Sequence, residues 1–451
     1  MIKNKLKLST LLVALIFLFG VNFSREDNVI AGIDFTSQVV TATNEKEISP
    51  DELYHKVWEL IKKDYVDQTY NSQDWNIWKD RYTGKLKNLD DAHKAIETML
   101  ASLGDRYTRF LTKKDFDDEK QAINAKLTGI GVQIGLDKTN RLIIIAPIEG
   151  TPAYKAGLRS GDEIIEIDGT STKGISVEEA ANQIKGPVST KVTLTLQREN
   201  ESLKRTIVRA EIPIKSISKG DAKLIYEDVG YIRLNSFISQ ESSNEMKEAI
   251  EKLIKANGLI IDLRNNPGGL LTNAIEISDM FLNNGIIVST VDRDGYVQSV
   301  KADPKIITEK PVVILVNENS ASASEILSGA LKDNARAKIV GSKTFGKGLI
   351  QGINKLEDGS GVNVTIAKYL TPAKIDINEL GISPDASVDL SIEDYKEGKG
   401  PWFSDPNNLP SKRKPEDGKD SQLTKGIEVL KEMIKVAKVE SKLRSKKAAN
   451  F

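Results

Sequence analysis

The stretch of sequence that decides the fold is residues 311–325, Pro-Val-Val-Ile-Leu-Val-Asn-Glu-Asn-Ser-Ala-Ser-Ala-Ser-Glu. Its apolar first part, residues 311–316, predicts a strand buried on both faces, and residues 321–333 predict the helix that follows it. The same order occurs upstream, with strands predicted at 230–234 and 259–263 and helices at 241–256 and 272–282. Strands that alternate with helices between about 211 and 392 predict an α/β core with a mostly parallel sheet covered by helices.

The segments on either side of this core have other patterns. Residues 50–124 carry apolar side chains at helical spacing, such as Leu53, Val57 and Ile61, and predict an N-terminal helical unit. Residues 125–210 contain short β-rich runs separated by Gly, Pro and Asp turns, with one helical stretch at 176–185, and predict a compact β domain. Residues 393–451 predict a loop-rich tail that ends in an amphipathic helix. The chain is therefore predicted to be a multidomain α/β protein.

The first 24 residues predict export. Lys3, Lys5 and Lys7 precede an apolar run at 10–21, and about a dozen apolar residues suit a secretory signal, since a membrane span needs about 20. An uncleaved N-terminal anchor is the alternative, and residues 25–49 are predicted to be a linker. In either case we expect the body of the protein in the periplasm or cell envelope, with membrane association through the N-terminus if the segment is retained.

Composition excludes several classes of function. The chain has 451 residues, with 64 Lys+Arg against 64 Asp+Glu, which argues against a nucleic-acid-binding protein with a strongly basic field. The absence of cysteine excludes disulfides, thiolate metal sites and thiol nucleophiles. The two histidines, His55 and His93, both lie in the helical unit, so a Ser-His-Asp triad is not expected. No metal or cofactor is predicted, because the candidate catalytic segments contain no His/Cys cluster.

The serine run at 319–325 contains a candidate nucleophile. It follows the carboxyl end of a strand, where catalytic groups of α/β sheets gather, and it opens a helix whose first amides can stabilise an oxyanion. Ser322 and Glu325 also have the spacing of a capping box. On this stretch alone, a nucleophile and a plain helix cap are both open.

A nucleophilic serine needs a base, and a lysine can serve if burial keeps its amine neutral. Lys347 is the candidate, because Gly346 and Gly348 on either side let the backbone pass close to another element. Gln351 would lie on the same face of an extended chain and could orient the amine. Residues 341–347 also match the start of a phosphate-binding loop, but Gly348 replaces the metal-ligating Ser or Thr and no helix follows, so nucleotide binding is not expected.

A Gly-rich turn, Arg264-Asn265-Asn266-Pro267-Gly268-Gly269, follows the strand at 259–263. Its bare backbone amides could face an anion, and an ordinary tight turn is the alternative.

Together these segments resemble the carboxyl-terminal-processing, or tail-specific, proteases, which are Ser/Lys-dyad serine peptidases with a PDZ domain. The motifs that carry the resemblance stand in family order at 262–269, 320–325, 330–333, 341–351, 371–372 and 381–385. The resemblance covers about 50–390. It implies that Ser322 is the nucleophile, Lys347 the general base and Gln351 the residue that orients the lysine. It also implies an oxyanion hole made by the amides of Ala323 and of Gly269 or its neighbour Gly268.

The β domain resembles a PDZ domain. Thr128, Gly129, Ile130 and Gly131 look like its carboxylate-binding loop, and residues 177–184 look like the helix beside its peptide groove. The resemblance implies partners that are proteins or peptides with free C-termini. It predicts an exported endopeptidase that cleaves proteins near their C-termini through an acyl-enzyme. The rival interpretation is a non-catalytic PDZ adaptor on an inactive protease scaffold.

Overall fold

The structure is a computed structural model that describes residues 48–448, apart from 124–125, 138, 149, 160, 200, 214, 219, 227 and 404–412. The predicted signal or anchor at 1–24 lies outside the described residues, as do residues 25–47 of the predicted linker. Among the described helices, none combines the length and the apolar character that crossing a membrane requires.

The N-terminal unit is helical, as its sequence predicts. Its first helix is capped by Ser49, whose hydroxyl and backbone N–H bond reciprocally with Glu52. Leu53 and Val57 of that helix are fully buried against Met99 of another helix of the unit. The elements are α1 (Pro50–Asp64), α2 (Asn76–Lys79), α3 (Leu89–Ala101), β1 (Arg109–Leu111) and α4 (Lys113–Ile123).

The β domain follows directly. Its sheet has the order β3-β4-β5-β7-β8, with β6 paired to β5. The two strands that enter and leave the domain, β2 and β9, pair with each other in an antiparallel ribbon, in which Gly129 stands opposite Ala210. The elements are β2 (Lys126–Gly129), β3 (Val132–Leu136), β4 (Leu142–Pro147), α5 (Pro152–Lys155), β5 (Glu163–Ile167), β6 (Thr170–Ser171), α6 (Val177–Ile184), β7 (Lys191–Arg198), β8 (Glu201–Val208) and β9 (Ala210–Pro213).

The rest of the chain forms the α/β core and the tail. Its elements are β10 (Ala222–Ile225), β11 (Val229–Arg233), α7 (Ser242–Lys252), β12 (Gly258–Asp262), α8 (Leu271–Asp279), β13 (Ile286–Asp292), β14 (Val297–Lys301), β15 (Val312–Val316), α9 (Ala323–Asp333), β16 (Ala337–Gly341), β17 (Leu349–Lys355), β18 (Gly361–Leu370), β19 (Ala386–Ser387), α10 (Ile392–Lys396), a 3-10 turn (Pro415–Asp417) and α11 (Ser421–Ala448). These elements form two sheets.

The central sheet has the order β10-β11-β12-β15-β16-β19, and all its pairings except that of β10 with β11 are parallel. Successive residues of β12 and β15 face opposite sides, as the pleat requires. Ile261 and Ile314 pack in the cluster that contains the apolar residues of α7, α8 and α9, whereas Ile260 and Val313 pack with those of α11. Both faces are therefore covered by helices, and the prediction of a mostly parallel, covered sheet is confirmed for this layer.

A second sheet, which the sequence did not predict, is antiparallel. The long strand β18 pairs with β1, β13 and β17, and β14 extends the sheet beyond β13. Val362 and Val364 of β18 are buried among the apolar side chains of the helical unit. This sheet therefore joins the helical unit to the core.

Candidate active site

Three neighbouring parallel strands bring the candidate catalytic segments to one edge of the central sheet. Asp262, the last residue of β12, stands opposite Leu315 of β15, and Val316 stands opposite Gly341 of β16. The turn with the two glycines follows β12, the serine segment follows β15, and the lysine segment follows β16. These segments meet because parallel strands end on the same side.

Ser322 stands at the N-cap of α9 in a strained conformation. Its φ of 56° and ψ of −115° belong to a region that non-glycine residues rarely adopt, at a cost of order 1–3 kcal/mol. The residue is 6% exposed, and its N–H donates to Oε2 of Glu325 over 2.8 Å. Glu325 therefore contributes the carboxylate half of the predicted capping box, and the N-cap position is compatible with the nucleophilic role implied for Ser322.

Glu325 connects the serine segment to the lysine segment. Its fully buried carboxylate also accepts from the Thr344 hydroxyl at 2.6 Å and from the N–H groups of Gly346 at 2.7 Å and Lys347 at 2.9 Å. Burial raises the pKa of Glu325, and these donors oppose the rise. Sequence reasoning treated Glu325 only as a cap, although it is the single charged residue in the run 319–331, and that isolation among uncharged residues is the signal that marks it.

Lys347 is a buried amine in a mixed electrostatic environment. Its exposed fraction is 7%, and burial lowers the pKa of the ammonium from 10.5 to about 8. Glu119 of α4 is the strongest opposing influence and raises that pKa, whereas Arg109 and Arg106 lower it. Glu119 itself accepts from Asn363 of β18 at 3.2 Å and pairs with Arg109 at 3.4 Å. A lysine in this setting is partly neutral near neutral pH, as a general base must be.

Two tyrosines border the amine and the serine. Nζ of Lys347 lies 4.8 Å from the ring centre of Tyr107. The fully buried hydroxyl of Tyr369 donates to the backbone carbonyl of Lys347, and it also interacts with the Ser322 side chain. Among the hydrogen bonds between described residues, none joins Oγ of Ser322 to Nζ of Lys347. The structure thus places the two residues in one site without a direct bond between them.

Gln351 lies in β17, the strand that follows the lysine segment. β17 begins at Leu349, after Lys347, and its pairing with β18 shifts in register between Ile350 and Gln351. Ile350 pairs with Ala367 and Gln351 with Thr365, so the extra residue of this bulge is Ile366 of β18. Nε2 of Gln351 is buried and has no hydrogen-bond partner among the described residues, so the orienting role of Gln351 stays a prediction.

The Gly-rich turn lies directly against the serine. A Cβ on Gly268 would approach the Ala321 carbonyl to 2.6 Å and both the Ala323 nitrogen and the Ser322 Cβ to 2.9 Å. The Gly268 N–H already donates to Oδ1 of Asn266 at 2.9 Å. No hydrogen bond between described residues uses the N–H of Gly269 or of Ala323. The structure therefore leaves these two amides available to an oxyanion beside Ser322.

The serines on either side of Ser322 hold the turn against the serine segment. The Ser320 hydroxyl donates to the Leu263 carbonyl at 2.8 Å, and the Ser324 hydroxyl donates to the Asn266 carbonyl at 2.9 Å. Both serines are fully buried. Both hydroxyls are therefore engaged by backbone carbonyls, those of Leu263 and Asn266.

The predicted carboxylate-binding loop, Thr128–Gly131, spans the end of β2 and the connection to β3, near the C-terminal end of α6. A Cβ on Gly129 would lie 4.0 Å from Cα of Lys185, the residue that caps α6. The Ile130 carbonyl accepts from Ala153, whereas no hydrogen bond between described residues uses the N–H of Ile130 or Gly131. Thr128 pairs with Glu211 at the domain junction. The loop thus presents unused amides next to the predicted groove.

The two histidines form hydrogen bonds outside the serine and lysine segments. His55 bonds to the Asp51 carbonyl within α1 at 2.8 Å, and His93 bonds to Asp358 at 2.7 Å. Among the described residues, no hydrogen bond joins either histidine to the serine segment.

Comparisons with known proteins agree with the architecture. The family model described as "Peptidase family S41" matches residues 228–388, and the one described as "PDZ domain" matches residues 119–197. The chain is 41% identical over 351 residues to the carboxyl-terminal-processing protease of Synechocystis sp., covering 76% of this chain and 82% of that protein. It is 36% identical to carboxyl-terminal-processing peptidase 3, chloroplastic, of Arabidopsis thaliana, covering 75% of this chain and 69% of the relative.

Solved structures show the same relationship. The photosystem II D1 C-terminal processing protease superposes with a TM-score of 0.53 at 34% identity, over 76% of this chain and 94% of that one. A putative S41 protease from Bacteroides fragilis has the same TM-score at 16% identity and shares the fold. From the motifs, the fold and these similarities, the chain belongs to the carboxyl-terminal-processing protease family, the PDZ-containing serine peptidases of family S41.

Proposed function

We propose that this protein is an exported endopeptidase that cleaves proteins near their C-termini with Ser322 as nucleophile and Lys347 as general base. The observation that carries the proposal is the Glu325 carboxylate, which bonds at once to the N–H groups of Ser322 and Lys347. It fixes a strained serine and a buried amine in one site at the edge of the sheet. Such an arrangement suits an activated nucleophile without a histidine.

In the proposed acylation step, the neutral amine of Lys347 accepts the proton of the Ser322 hydroxyl as Oγ forms a bond to the scissile carbonyl carbon. The amides of Gly269 and Ala323 stabilise the negative charge on the carbonyl oxygen. The Lys347 ammonium then gives the proton to the leaving amine as the C–N bond breaks. Water, deprotonated by the same amine, then attacks the acyl carbon, the bond from that carbon to Oγ breaks, and the Lys347 ammonium returns the proton to Oγ of Ser322. A rotation of the Lys347 side chain toward Oγ on substrate binding is part of the proposal.

The tail of the substrate is proposed to dock in the PDZ domain. A terminal carboxylate would accept hydrogen bonds from the amides around Gly129, Ile130 and Gly131, while the peptide adds as a strand beside β3 and α6. The unused amides of Ile130 and Gly131 support this assignment. Docking would shift the equilibrium between closed and open arrangements of the domain by its differential affinity for the two.

Export rests on the sequence of residues 1–24 alone. A cell fractionation of the producing organism, with an antibody against the α/β core, tests it. We expect the protein in the envelope fraction, and a protein confined to the cytoplasm contradicts this part of the proposal.

A fluorogenic peptide assay on the purified protein tests the catalytic assignment. We expect wild type to cleave, and Ser322→Ala and Lys347→Ala to lose cleavage by at least about 1,000-fold while keeping their thermal melting transitions, because each removes an essential group. Ser320→Ala and Ser324→Ala are the matched controls, with smaller losses because their hydroxyls bond to the backbone carbonyls of Leu263 and Asn266. Full activity in Ser322→Ala or Lys347→Ala would refute the dyad. No cleavage by wild type on any C-terminal substrate would favour the adaptor alternative.

A further inference from the structure

The base of the Gly-rich turn contains a buried cluster of charges that the catalytic assignment does not use. Arg264, at the start of the turn, has a fully buried side chain and forms two ion pairs. Its Nε and Nη2 donate to the carboxylate of Asp262 at 2.9 and 2.6 Å. Its Nη1 and Nη2 donate to the carboxylate of Asp420 at 2.8 and 2.9 Å. The guanidinium is therefore held from both sides.

Asp420 belongs to the C-terminal tail, outside residues 228–388 that match the peptidase family. It is 1% exposed, and its carboxylate also accepts from the N–H groups of Leu423 at 3.0 Å and Trp402 at 2.9 Å. The same carboxylate therefore caps the start of α11 and binds the Arg264 side chain. It places the tail directly beneath the Gly-rich turn.

The turn leads from this ion pair to the amides beside Ser322 in five residues. The Arg264 N–H donates to Asp262 at 3.0 Å, which bends the chain as it leaves β12. Asn265 has a φ of 60°, and Asn266 donates to the Leu234 carbonyl at 2.7 Å. Along the turn from Arg264, Gly269 is the first residue whose N–H has no hydrogen-bond partner among the described residues. The N–H groups of Arg264, Asn266 and Gly268 are thus all bonded, and Asp420 holds the side chain of the residue that opens the turn.

We propose that Asp420 is a positioning residue for catalysis, which holds the Arg264 end of the Gly-rich turn so that the Gly269 amide points at the developing oxyanion. This inference rests on the proposed function. It makes the C-terminal tail a part of the catalytic apparatus. Removal of the Asp420 charge leaves Arg264 paired with Asp262, so Arg264 loses one of its two carboxylate partners while the buried guanidinium keeps a counter-ion.

The effect of such a loss falls on the transition state. An oxyanion-hole donor acts on charge that develops during reaction, so its displacement lowers kcat and leaves ground-state binding unchanged. For Asp420→Asn we expect kcat lower by about 10- to 100-fold with KM within about twofold of wild type. The affinity for a peptide aldehyde, which adds to Ser322 and places an oxyanion in the hole, should fall by the same factor as kcat.

Binding of an uncleaved peptide is measured in the Ser322→Ala background, with and without Asp420→Asn, and should be equal. Asp417→Asn is the matched control, because Asp417 lies in the same tail and pairs with Arg413 at 3.0 Å rather than with Arg264. We expect it to behave as wild type in all three measurements. If Asp420→Asn is not recovered folded, Asp420→Glu replaces it in the same three measurements. This variant keeps the charge but places it on a side chain one methylene longer.

Two results overturn the inference. One is a folded Asp420 variant whose kcat and aldehyde affinity equal those of wild type. The other is a variant in which the uncleaved peptide and the aldehyde lose affinity by the same factor, since Asp420 would then act on substrate binding. A wild-type protein that does not cleave, or that cleaves equally well as Ser322→Ala, would instead contradict the proposed function, so the two failures are distinguishable.

Discussion

The pH dependence of cleavage follows from the environment of Lys347. A base with a pKa of about 8 is about one-tenth neutral at pH 7, whereas a lysine with the ordinary value of 10.5 would be neutral in about 3 of 10,000 molecules. Burial of this amine therefore increases the fraction of molecules with a neutral Lys347 at pH 7 about 300-fold. This factor corresponds to a free-energy difference of about 3 kcal/mol between the two protonation states. We expect kcat/KM to rise about tenfold between pH 6 and 7 and to reach half its maximum near pH 8.

The Glu119 carboxylate provides the perturbation that tests this origin. It raises the pKa of Lys347, so Glu119→Gln should lower that pKa further and move the rising limb of the profile to lower pH. The variant should then be faster than wild type at pH 6, relative to its own plateau. Asp118→Asn is the matched control, because Asp118 is on the same helix but pairs with Lys114 at 3.0 Å.

The assay is the initial rate of fluorogenic peptide cleavage at constant ionic strength between pH 5.5 and 9.5. Three results would refute the reasoning. The first is a midpoint near 6.5 that disappears in a variant lacking both His55 and His93. The second is a Glu119→Gln profile with an unchanged midpoint or one at higher pH. The third is an equal shift in Asp118→Asn.

Three further predictions concern other parts of the molecule. Glu325→Gln should lower kcat/KM at least about tenfold and the melting temperature by several degrees, because an amide side chain accepts fewer hydrogen bonds from the N–H groups around it than a carboxylate does. An unchanged melting curve and rate would contradict the role of Glu325 in connecting the serine and lysine segments. Gly268→Ala should abolish cleavage without unfolding, since its Cβ would lie 2.9 Å from the Ala323 nitrogen, and wild-type kinetics would argue against a close approach there. Amidation of a substrate's C-terminus should slow cleavage by wild type but not cleavage by Gly131→Ala. The new Cβ would lie 2.4–2.6 Å from atoms of the Thr151 side chain and would displace the carboxylate-binding loop. Equal cleavage of the free-acid and amidated substrates by wild type would mean that the PDZ domain does not bind the carboxylate.

The sequence predicted the central sheet well because its strands are continuous apolar runs followed by helical patterns. The strand predicted at 311–316 is Val312–Val316, and the helix predicted at 321–333 is Ala323–Asp333. The antiparallel sheet was missed for a physical reason. The strand Val297–Lys301 alternates between exposed and partly buried residues, and Leu349–Lys355 contains a glycine and several polar residues, so neither has the uniform pattern that predicts a buried strand.

The same distinction applies to the site. Ser322, Lys347 and the glycine turn could be named because each lies in a local motif with its own spacing. Tyr369, Glu119 and Asp420 could not, since each reaches the site from a distant part of the chain, and a single sequence does not show which residues are brought together.

The ribbon formed by the strands that enter and leave the β domain makes that domain a detachable insert. Gly129 stands opposite Ala210, so the chain on one side of the insert ends beside the point where it resumes. A two-residue turn can join such a pair, because neighbouring antiparallel strands are bridged by loops of that length. Residues 130–209 could thus be exchanged for a hairpin, or for a PDZ domain with another tail preference, with both cut ends kept in register by the remaining ribbon.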